Sequence, residues 1–496
     1  MDALRHIPLG EPLPASVHAV SCSLPTMRDV CGYEEKDPRV MDALSAGYPR
    51  FFEHPYVRQV REDLIRRLGL SGRTVGVFPS GGPLQHFEEF VGLEDTKQVD
   101  YGGLRVLHGR ERPEVAARLR NYQQHTGLFV YSRQAEDYLL ERALLETRFE
   151  EGVVAEGSNH VLARLTEIFQ TRPGQVFLTN SGMNAFYAGF RAVSAIQQAR
   201  GRRIWVQLGW LYLDTMHILE HFTGPGDRVV ISRATDLAAL DALFRSRGAE
   251  IAGVVTEVPT NPLIECVDLP ALAERCRAIG APLLIDPTLA TPYNIDVIPH
   301  CDVVINSLTK YAASEGDVIA GAIVVNPESP FSDALCEQLP SLIQPPYERD
   351  TNRLALQIDS YEKVVEGINE RVCELARFLE SQKNVRQVHW ALDADSRADY
   401  SKIARRPEAP GGLFSIELAM PLAKFYDRIR IAKGPSFGHR FSLVCPFLYL
   451  AHYDLVTTEA GRAELRSHGL DPDLVRISVG LEDPDELIRV YEEALR

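Results

Sequence analysis

The sequence predicts an α/β protein whose core is a mostly parallel sheet with helices on both faces. Two observations support this class. In the middle of the 496-residue chain, short runs rich in Val, Ile and Leu alternate with amphipathic helical patterns, as in parallel strands joined by crossover helices. The composition, with 45% hydrophobic and 24% charged residues, is that of a globular protein large enough for two or three domains.

The predicted strands of the middle region are continuous apolar runs. Such runs indicate strands that are covered on both faces, since a strand with one wet face would alternate between apolar and polar residues. A helical pattern at 268–280 lies between two of the runs. The predicted strands are residues 202–208, 227–233, 250–258, 281–287, 301–307 and 320–327.

The regions on either side of these strands have different sequence patterns. The first 120 or so residues contain helical patterns at 55–69 and 111–124, but their fold cannot be derived. From residue 353 to 382 an amphipathic pattern predicts one long helix, followed by a strand at 411–418 and a terminal helix at 485–496. We therefore predict an N-terminal extension of unknown fold (1–124), an α/β domain with an N-terminal arm (125–352) and a smaller C-terminal α+β domain (353–496).

Charge and hydropathy argue against several classes of function. With 53 Lys and Arg against 68 Asp and Glu, the formal charge is −15, which repels phosphate backbones and anionic lipid. We therefore expect neither a nucleic-acid nor a membrane partner. No stretch approaches the ~18 apolar residues of a membrane helix, and the opening residues lack the apolar run of a signal peptide, so we expect a cytoplasmic protein.

The cysteines indicate neither a zinc site nor a disulfide framework. They are scattered, with no CxxC spacing and no nearby Cys/His cluster, so we expect reduced thiols and no metal. They are residues 22, 31, 266, 276, 301, 336, 373 and 445.

Four predicted strand ends carry polar residues, and ligands of open α/β sheets bind beyond such ends. At the first, the chain passes from a strand through Ser181-Gly182-Met183 into a helix. The free N–H groups and positive terminus of that helix would suit a phosphate, although a Ser-Gly helix start is often purely structural. At the second end stands Asn261, which is either a ligand contact or a turn former before Pro262.

The third and fourth ends carry ionisable side chains. Asp286 ends a very apolar strand, so its carboxylate is either desolvated and paired with a cation or a helix N-cap. Ser307, Thr309 and Lys310 follow the next strand together. Two hydroxyls beside a lysine suit an anionic group, and partial burial would favour the neutral, nucleophilic amine; the alternative is an ordinary surface lysine.

Together these ends contain the parts of a pyridoxal-phosphate site. Over residues 125–496 the chain resembles the cystathionine γ-synthase-like, or Cys/Met metabolism, family, and the stretches 24–60 and 434–453 are similar to its long fungal-type branch. The resemblance implies a fold type I PLP-dependent transferase. It rests on Tyr131-Ser132-Arg133, Ser181-Gly182-Met183, EVPTNP with Asn261, Asp286 with Thr288 and Pro292, SLTKY with Lys310, GDVIAG at 316–321 and VRISVGLED at 475–483.

The resemblance implies pyridoxal 5'-phosphate as the cofactor and assigns a role to each motif. Lys310 would carry the cofactor covalently and transfer protons at Cα and Cβ of the substrate. Asp286 would keep the pyridine nitrogen protonated, and Asn261 would contact the ring hydroxyl. The phosphate would be held by the start of the helix, Ser181-Gly182-Met183, and by the hydroxyls of Ser307 and Thr309.

Further roles come from the same resemblance. Arg476 would bind the substrate α-carboxylate, and Ser436 would line that end of the site. Tyr131 and Arg133 would reach the phosphate from a neighbouring subunit. We therefore expect a homo-oligomer with shared active sites, in the form of a dimer of dimers or homotetramer.

The chain also departs from the family pattern. Leu208 stands where the family has a tyrosine stacked on the cofactor ring, and Trp210 or Tyr212 is a candidate substitute. After Arg133, the family's Asn-Pro-Thr is replaced by residues 136–138, Glu-Asp-Tyr. These departures indicate a divergent branch and put the usual elimination mechanism in doubt.

The resemblance implies γ-replacement on an O-acylated homoserine by cysteine, giving cystathionine for methionine biosynthesis by transsulfuration. The sequence does not identify the acyl group, and a nucleophile other than cysteine is an alternative. A C–S lyase or an O-acylhomoserine sulfhydrylase on the same scaffold is a second alternative, and a non-catalytic relative a third. A dehydrogenase is disfavoured because no GxGxxG follows a strand.

Overall fold

The computed structural model describes residues 3–48, 52–84 and 87–496. Residues 49–51, inside the stretch 24–60 that resembles the fungal-type branch, lie outside the described residues, as do 85–86. The strands are β1 (Pro12–Leu13), β2 (Ser21–Cys22), β3 (Arg73–Pro79), β4 (Lys97–Tyr101), β5 (Leu104–Arg110), β6 (Val176–Thr179), β7 (Ile204–Leu208), β8 (Arg228–Ile231), β9 (Ile251–Glu257), β10 (Leu283–Asp286), β11 (Val303–Ser307), β12 (Gly321–Val325), β13 (Val385–His389), β14 (Leu413–Leu418), β15 (Leu443–Pro446) and β16 (Val475–Ser478).

Helices connect and cover these strands. The α-helices are α1 (Met27–Glu34), α2 (Pro38–Met41), α3 (Pro55–Leu68), α4 (Phe87–Val91), α5 (Pro113–Thr126), α6 (Ser132–Glu141), α7 (Gly157–Phe169), α8 (Gly182–Gln198), α9 (Leu213–Phe222), α10 (Leu237–Arg247), α11 (Leu269–Ile279), α12 (Ser332–Gln338), α13 (Glu348–Ile358), α14 (Tyr361–Glu380), α15 (Arg397–Tyr400), α16 (Leu422–Arg428), α17 (Phe447–Ala451), α18 (Tyr453–Val456), α19 (Glu459–Ser467) and α20 (Pro484–Leu495). Short 3-10 helices lie at Gly248–Glu250, Ile298–His300, Tyr311–Ala313 and Leu339–Ser341.

The central sheet has seven strands in the order β6-β12-β11-β10-β9-β7-β8. All neighbouring pairs are parallel except those of β12, which runs antiparallel to both β6 and β11. The six predicted strands of the middle region are all present, and the predicted mostly parallel class is confirmed. The register places Asp286 directly opposite Glu257 at the carboxyl ends of β10 and β9.

Local sequence signals explain where α11 begins and ends. The Asp268 side chain accepts a hydrogen bond from the N–H of Ala271, and Pro270 lies in the first turn, where its missing N–H has no cost. Gly280 ends the helix with φ of 67°, a left-handed conformation that glycine adopts without strain. The predicted helix at 268–280 is therefore confirmed to within one residue at each end.

A second sheet forms near the C-terminus. Four antiparallel strands lie in the order β13-β14-β16-β15, so β16 is an interior strand. The single long helix predicted from residue 353 is wrong, because α13 ends at Ile358 and α14 begins at Tyr361. The Ser360 hydroxyl between them donates to the carbonyl of Gln357 at 2.9 Å, the kind of local bond by which Asp-Ser pairs compete with helical hydrogen bonding.

The N-terminal extension has a fold that the sequence did not reveal. Its strands β3, β5 and β4 form an antiparallel sheet, and the predicted helices at 55–69 and 111–124 are confirmed as α3 and α5. Earlier residues pack against the C-terminal part, where the Leu24 N–H donates to the Lys433 carbonyl at 2.9 Å. The extension therefore packs against the rest of the molecule.

Within the described part of the chain, none of the helices has the length and apolar character that a membrane crossing requires. The eight cysteines are free thiols.

Candidate active site

A cavity opens at the carboxyl ends of β9, β10 and β11 and encloses about 1090 Å³ of free space, part of it open to solvent. Its walls come from the central sheet, the small C-terminal sheet and the N-terminal extension. The polar and ionisable lining residues are Tyr48, Tyr212, Thr215, Glu257, Asn261, Asp286, Thr288, Ser307, Lys310, Ser436, Cys445 and Arg476. The apolar ones include Met183, Phe186, Leu213, Phe437, Phe447 and Leu450.

Lys310 lies on the floor of this cavity, three residues beyond the end of β11. Its side chain is buried, and its Nζ lies 4.9 Å from the centre of the Phe437 ring and 5.1 Å from that of Tyr48. Burial, reinforced by the positive charge of Arg476, lowers the pKa of Lys310 to about 7. Near neutral pH much of the lysine is therefore an uncharged amine, the form that acts as a nucleophile or base.

Two carboxyl groups stand side by side at the ends of β10 and β9. Burial raises the pKa of Asp286 to about 6, against the N–H of Thr288, which donates to Asp286 Oδ1 at 2.8 Å. Burial and the neighbouring charge of Asp286 raise the pKa of Glu257 well above its ordinary value. Since two buried carboxylates cannot both ionise easily, Asp286 carries the negative charge and Glu257 stays protonated.

Asn261 follows β9 and presents an amide to the cavity. Its backbone N–H donates to Glu257 Oε2 at 3.1 Å, which fixes the turn. The Asn261 side chain is buried, yet its Oδ1 has no hydrogen-bond partner among the described residues. A buried amide without a partner is costly, so a ligand group that bonds to it would be favoured.

The start of α8 forms a cradle beside the cavity. The Ser181 hydroxyl accepts a hydrogen bond from the N–H of Asn184, while Gly182 and Met183 lie in the first turn and line the cavity. A Cβ on Gly182 would lie 2.9 Å from Cβ of Ser307, so only glycine allows α8 to approach β11 this closely. The first N–H groups and the positive end of a 17-residue helix thereby face the cavity.

Arg476 provides the cationic wall opposite this cradle. It lies on β16, an interior strand of the small sheet, and is buried against the Phe447 ring, 4.7 Å from the ring centre. One guanidinium nitrogen donates to the Ser436 carbonyl at 3.3 Å. The fork of an arginine held in this way suits a carboxylate.

These residues fit pyridoxal 5'-phosphate, the cofactor that the resemblance implies. The Gly182 cradle suits the phosphate, the orphaned Asn261 amide suits a ring substituent, and Asp286 suits a protonated pyridine nitrogen. Lys310 supplies the amine. The structure thus brings together seven of the predicted site residues around one cavity, namely Gly182, Met183, Asn261, Asp286, Ser307, Lys310 and Arg476, with Ser436 as an eighth.

Arg133 lies outside the cavity lining. Its side chain is 1% exposed and is surrounded by carboxylates of its own chain. Nε donates to Glu151 at 2.9 Å, and Nη1 donates to Asp350 and to the Asp317 carbonyl, both at 2.7 Å. The Arg133 donors are thus used within this chain, and the role of Arg133 as a cross-subunit phosphate ligand stays a prediction.

Three other predicted residues stand outside the cavity lining. The Thr309 hydroxyl is fully buried and exchanges hydrogen bonds with the backbone of Ala320, so it does not line the cavity. Ser181 is occupied as the helix cap. Tyr131 lies with Ser181 and Met183 in a small adjoining cavity of its own chain, and its approach from a neighbouring subunit stays a prediction.

Leu208, which stands where the family has its stacking tyrosine, and the candidate substitute Trp210 both lie outside the cavity lining. Leu208 is fully buried at the end of β7 and does not line the cavity. Of the two candidate substitutes, Tyr212 lines the cavity, whereas the Trp210 indole donates to His452 at 3.2 Å outside it.

Several residues of the cavity lining were not predicted from the sequence, among them Glu257 and Tyr48. Glu257 was readable as the last residue of a buried strand, within the EVPTNP segment. Tyr48 carried no usable signal, because it comes from the extension, more than 250 residues before Lys310 in the chain.

Comparisons with known proteins show which chains this one is similar to. A family model described as "Cys/Met metabolism PLP-dependent enzyme" matches residues 159–496. The chain is 41% identical over 485 residues to an L-2-amino-4-chloropent-4-enoate dechlorinase/desaturase of Streptantibioticus cattleyicolor, covering 97% of each protein. It is 26% identical to a cystathionine gamma-synthase of Neurospora crassa, covering 98% of each.

A solved structure shows the same fold. The cystathionine gamma synthase of Xanthomonas oryzae in complex with aminoacrylate and cysteine matches with a TM-score of 0.57 and 23% identity. The match covers 67% of this chain and 83% of that one.

Proposed function

The chain belongs to the Cys/Met metabolism PLP-dependent enzyme family, and from this premise we propose that it eliminates a γ-substituent from an amino acid. As a member of the family it is an enzyme of cystathionine γ-synthase or lyase type that uses pyridoxal 5'-phosphate and acts on small amino-acid substrates. The reaction we favour is the loss of chloride and a proton from a 2-amino-4-chloropent-4-enoate, which leaves a product with one more unsaturation.

The 41% identity to the Streptantibioticus cattleyicolor dechlorinase/desaturase over 97% of both chains supports this choice of substrate. The single structural observation that carries it is the apolar wall of the cavity, formed by Phe186, Leu213, Phe447 and Leu450 among others. Such a wall suits a small uncharged chloroalkenyl group, and Arg476, the cation beside Phe447, is assigned to the α-carboxylate.

The residues of the chain divide the work. Arg476 binds the α-carboxylate and so orients the substrate with Cα above Lys310. The neutral amine of Lys310 takes the proton from Cα and later returns it, and the proton that is lost with chloride comes from a carbon next to Cγ. Bound pyridoxal phosphate supplies an electron sink for the electron pair that this leaves. The carboxylate of Asp286 would keep the pyridine nitrogen of the cofactor protonated. The apolar wall keeps water away from the reacting carbons.

A second candidate function is γ-replacement on an O-acylated homoserine by cysteine. The 26% identity to the Neurospora crassa cystathionine gamma-synthase over 98% of both chains supports it. Sulfhydrylase and C–S lyase activities are variants of the same chemistry on the same residues. A non-catalytic role is the weakest alternative, since the lysine, the paired carboxyls and the arginine all line one cavity.

One product assay separates these functions. The holoenzyme is incubated with 2-amino-4-chloropent-4-enoate, with O-acetylhomoserine alone, and with O-acetylhomoserine plus cysteine. We expect free chloride and a product lighter by one HCl from the first substrate only, and neither with Lys310→Ala. Cystathionine formed only when cysteine is present would instead support γ-replacement, and no turnover of any substrate would contradict both.

We further propose that the protein forms a homo-oligomer, with a dimer of dimers as the expected form. An exposed apolar group supports this, since Val153, Val154 and Leu356 are 48%, 37% and 42% exposed. The Val154 N–H donates to the Asn352 carbonyl at 3.0 Å, which places the group on one surface beside α13. Val153→Asp with Leu356→Glu should lower the mass measured by light scattering, whereas Val230→Asp, on edge strand β8, should not.

A further inference from the structure

A cluster of histidines lies where helix α5 of the N-terminal extension packs against helix α9. Helix α9 carries Asp214, His217 and His221, spaced by three and four residues, so that all three share one face. Helix α5 of the extension contributes His125 from its last turn. The His125 ring lies 5.1 Å from that of His217 and 5.2 Å from that of His221, centre to centre.

The spacing of ligand atoms is close to that of a metal site. One side-chain ligand atom from each of His125, Asp214 and His217 lies within 4.8 Å of the other two. His125 Nδ1 is 3.6 Å from Asp214 Oδ1. Ligands of a tetrahedral zinc site are about 3.3 Å apart, since Zn–N and Zn–O distances are close to 2 Å. Small side-chain rotations would therefore bring the three atoms onto one ion.

Burial adds a second, independent observation. His125 is 3% exposed and Asp214 is 1% exposed. Nδ1 of His125 has no hydrogen-bond partner among the residues that the structure describes, although it points at the Asp214 carboxylate. Buried ring nitrogens are normally bonded, so a missing partner at this position indicates a missing ligand.

We propose that His125, Asp214 and His217 bind one divalent transition-metal ion, for which Zn²⁺ is the probe. Two imidazoles and a carboxylate are a donor set that Zn²⁺ and its first-row neighbours prefer, whereas Mg²⁺ and Ca²⁺ prefer oxygen alone. His221 is the nearest candidate for a fourth ligand.

The surroundings support a built site. The Gln124 side chain donates to Asp214 Oδ1 at 2.8 Å and orients the carboxylate, as outer residues of metal sites do. The Phe90 ring packs 6.4 Å from His125 and 5.7 Å from His221, which limits access of water. No metal was expected from the sequence, which has no nearby Cys/His cluster, since about 90 residues separate His125 from Asp214 and His217.

The ion would have a structural role and would take no part in the reaction. It would join the end of α5 to α9. The end of α5 is also hydrogen-bonded to the start of α8. The Thr126 and Gly127 carbonyls accept from the side chains of Asn184 and Asn180 at 3.0 and 2.8 Å. Metal binding would therefore hold the extension against the start of α8.

The test uses tag-free holoenzyme, freed of unbound cofactor and dialysed against a chelator that is then removed. Titration with Zn²⁺ by calorimetry should give one site per chain, and the ion should raise the unfolding temperature. His125→Gln and His217→Gln should each weaken Zn²⁺ binding at least tenfold. His160→Gln, which removes a half-exposed histidine elsewhere, is the matched control and should leave affinity unchanged.

A second measurement does not depend on the variants folding. Co²⁺ bound to the unaltered holoenzyme should show the visible spectrum of nitrogen and oxygen ligation. An intense thiolate band would overturn the assignment, because it would place the ion on cysteine. The proposal would likewise fail if Zn²⁺ did not bind, or if it bound equally to the wild type and to both histidine variants.

Discussion

The amine of Lys310 donates a hydrogen bond to the hydroxyl of Ser436, with 3.2 Å between Nζ and Oγ. Ser436 has a positive φ of 104°, which is strained for a residue other than glycine. Its carbonyl accepts from Arg476, and its hydroxyl also lies 2.8 Å from Nε2 of His439. Burial, followed by the charge of Lys310, lowers the pKa of His439 to about 3, so this histidine is neutral at working pH. One strained serine therefore connects the amine to the carboxylate-binding arginine.

Replacing Ser436 should affect turnover more than binding. Ser436→Ala removes the hydroxyl that orients Lys310 Nζ, and we expect kcat to fall about tenfold, equivalent to ~1.4 kcal/mol, with cofactor content unchanged. Steady-state kinetics with absorbance of the bound cofactor will measure both. Ser415→Ala is the control, because Ser415 is also buried but its hydroxyl has no hydrogen-bond partner among the described residues. Equal effects in both variants would contradict the assigned role.

Attachment of the cofactor should depend on pH through Lys310. The lysine attacks as the neutral amine, and its pKa in the folded protein is lowered to about 7, so the neutral fraction rises as pH increases through this value. The rate of attachment to cofactor-free protein, followed by stopped-flow absorbance, should therefore rise between about pH 6 and 8 and then level off.

The same profile tests the charge of Arg476. This arginine lowers the pKa of Lys310, so Arg476→Met should move the midpoint to higher pH. Arg430→Met, which removes an arginine paired with Glu493 on the surface, should leave the midpoint in place. A midpoint unmoved by Arg476→Met would show that the arginine charge does not reach the amine.

The extension should contribute directly to cofactor binding through Tyr48. Its ring packs 5.1 Å from Lys310 Nζ and lines the cavity, so Tyr48→Ala should raise the Kd for pyridoxal phosphate about tenfold, equivalent to ~1.4 kcal/mol. Tyr48→Phe keeps the ring and should retain most of the affinity. Fluorescence titration of the cofactor-free protein will compare them. Identical Kd values for the wild type and Tyr48→Ala would exclude a role for the ring.

Arg133 should act on stability. Arg133→Ala would leave the buried Asp350 without its cation, while Glu151 and Asp317 keep Arg349 and Arg353. Breaking one buried pair in this way costs about 3–5 kcal/mol. Denaturant unfolding will report the loss, and Arg148→Ala, which removes an arginine paired at the surface with Asp137, is the control. A variant of unchanged stability but weakened cofactor binding would support the phosphate role that the sequence predicted.

Prediction from sequence worked best where structure follows from local patterns. The strands of the central sheet were predicted because strands covered on both faces need continuous apolar runs, as in residues 301–307. The break between α13 and α14 was missed because the amphipathic pattern continues through Asp359 and Ser360, although the hydrogen bonds do not. The sheet β3-β5-β4 was missed because β4 is polar and largely exposed, while Gly76 and Gly109 interrupt the apolar patterns of β3 and β5.

Functional residues at strand ends were predictable, whereas those brought to the site by the packing of distant elements were not. The sequence alone determined the class of fold and brought Asn261, Asp286 and Lys310 to one edge of the sheet, because the carboxyl ends of parallel strands meet there. Only the tertiary structure decided that Arg133 is enclosed by its own carboxylates, that Tyr48 closes the cavity and that His125 meets Asp214. These contacts join residues distant in the chain, and they depend on how whole elements pack, which no local pattern records.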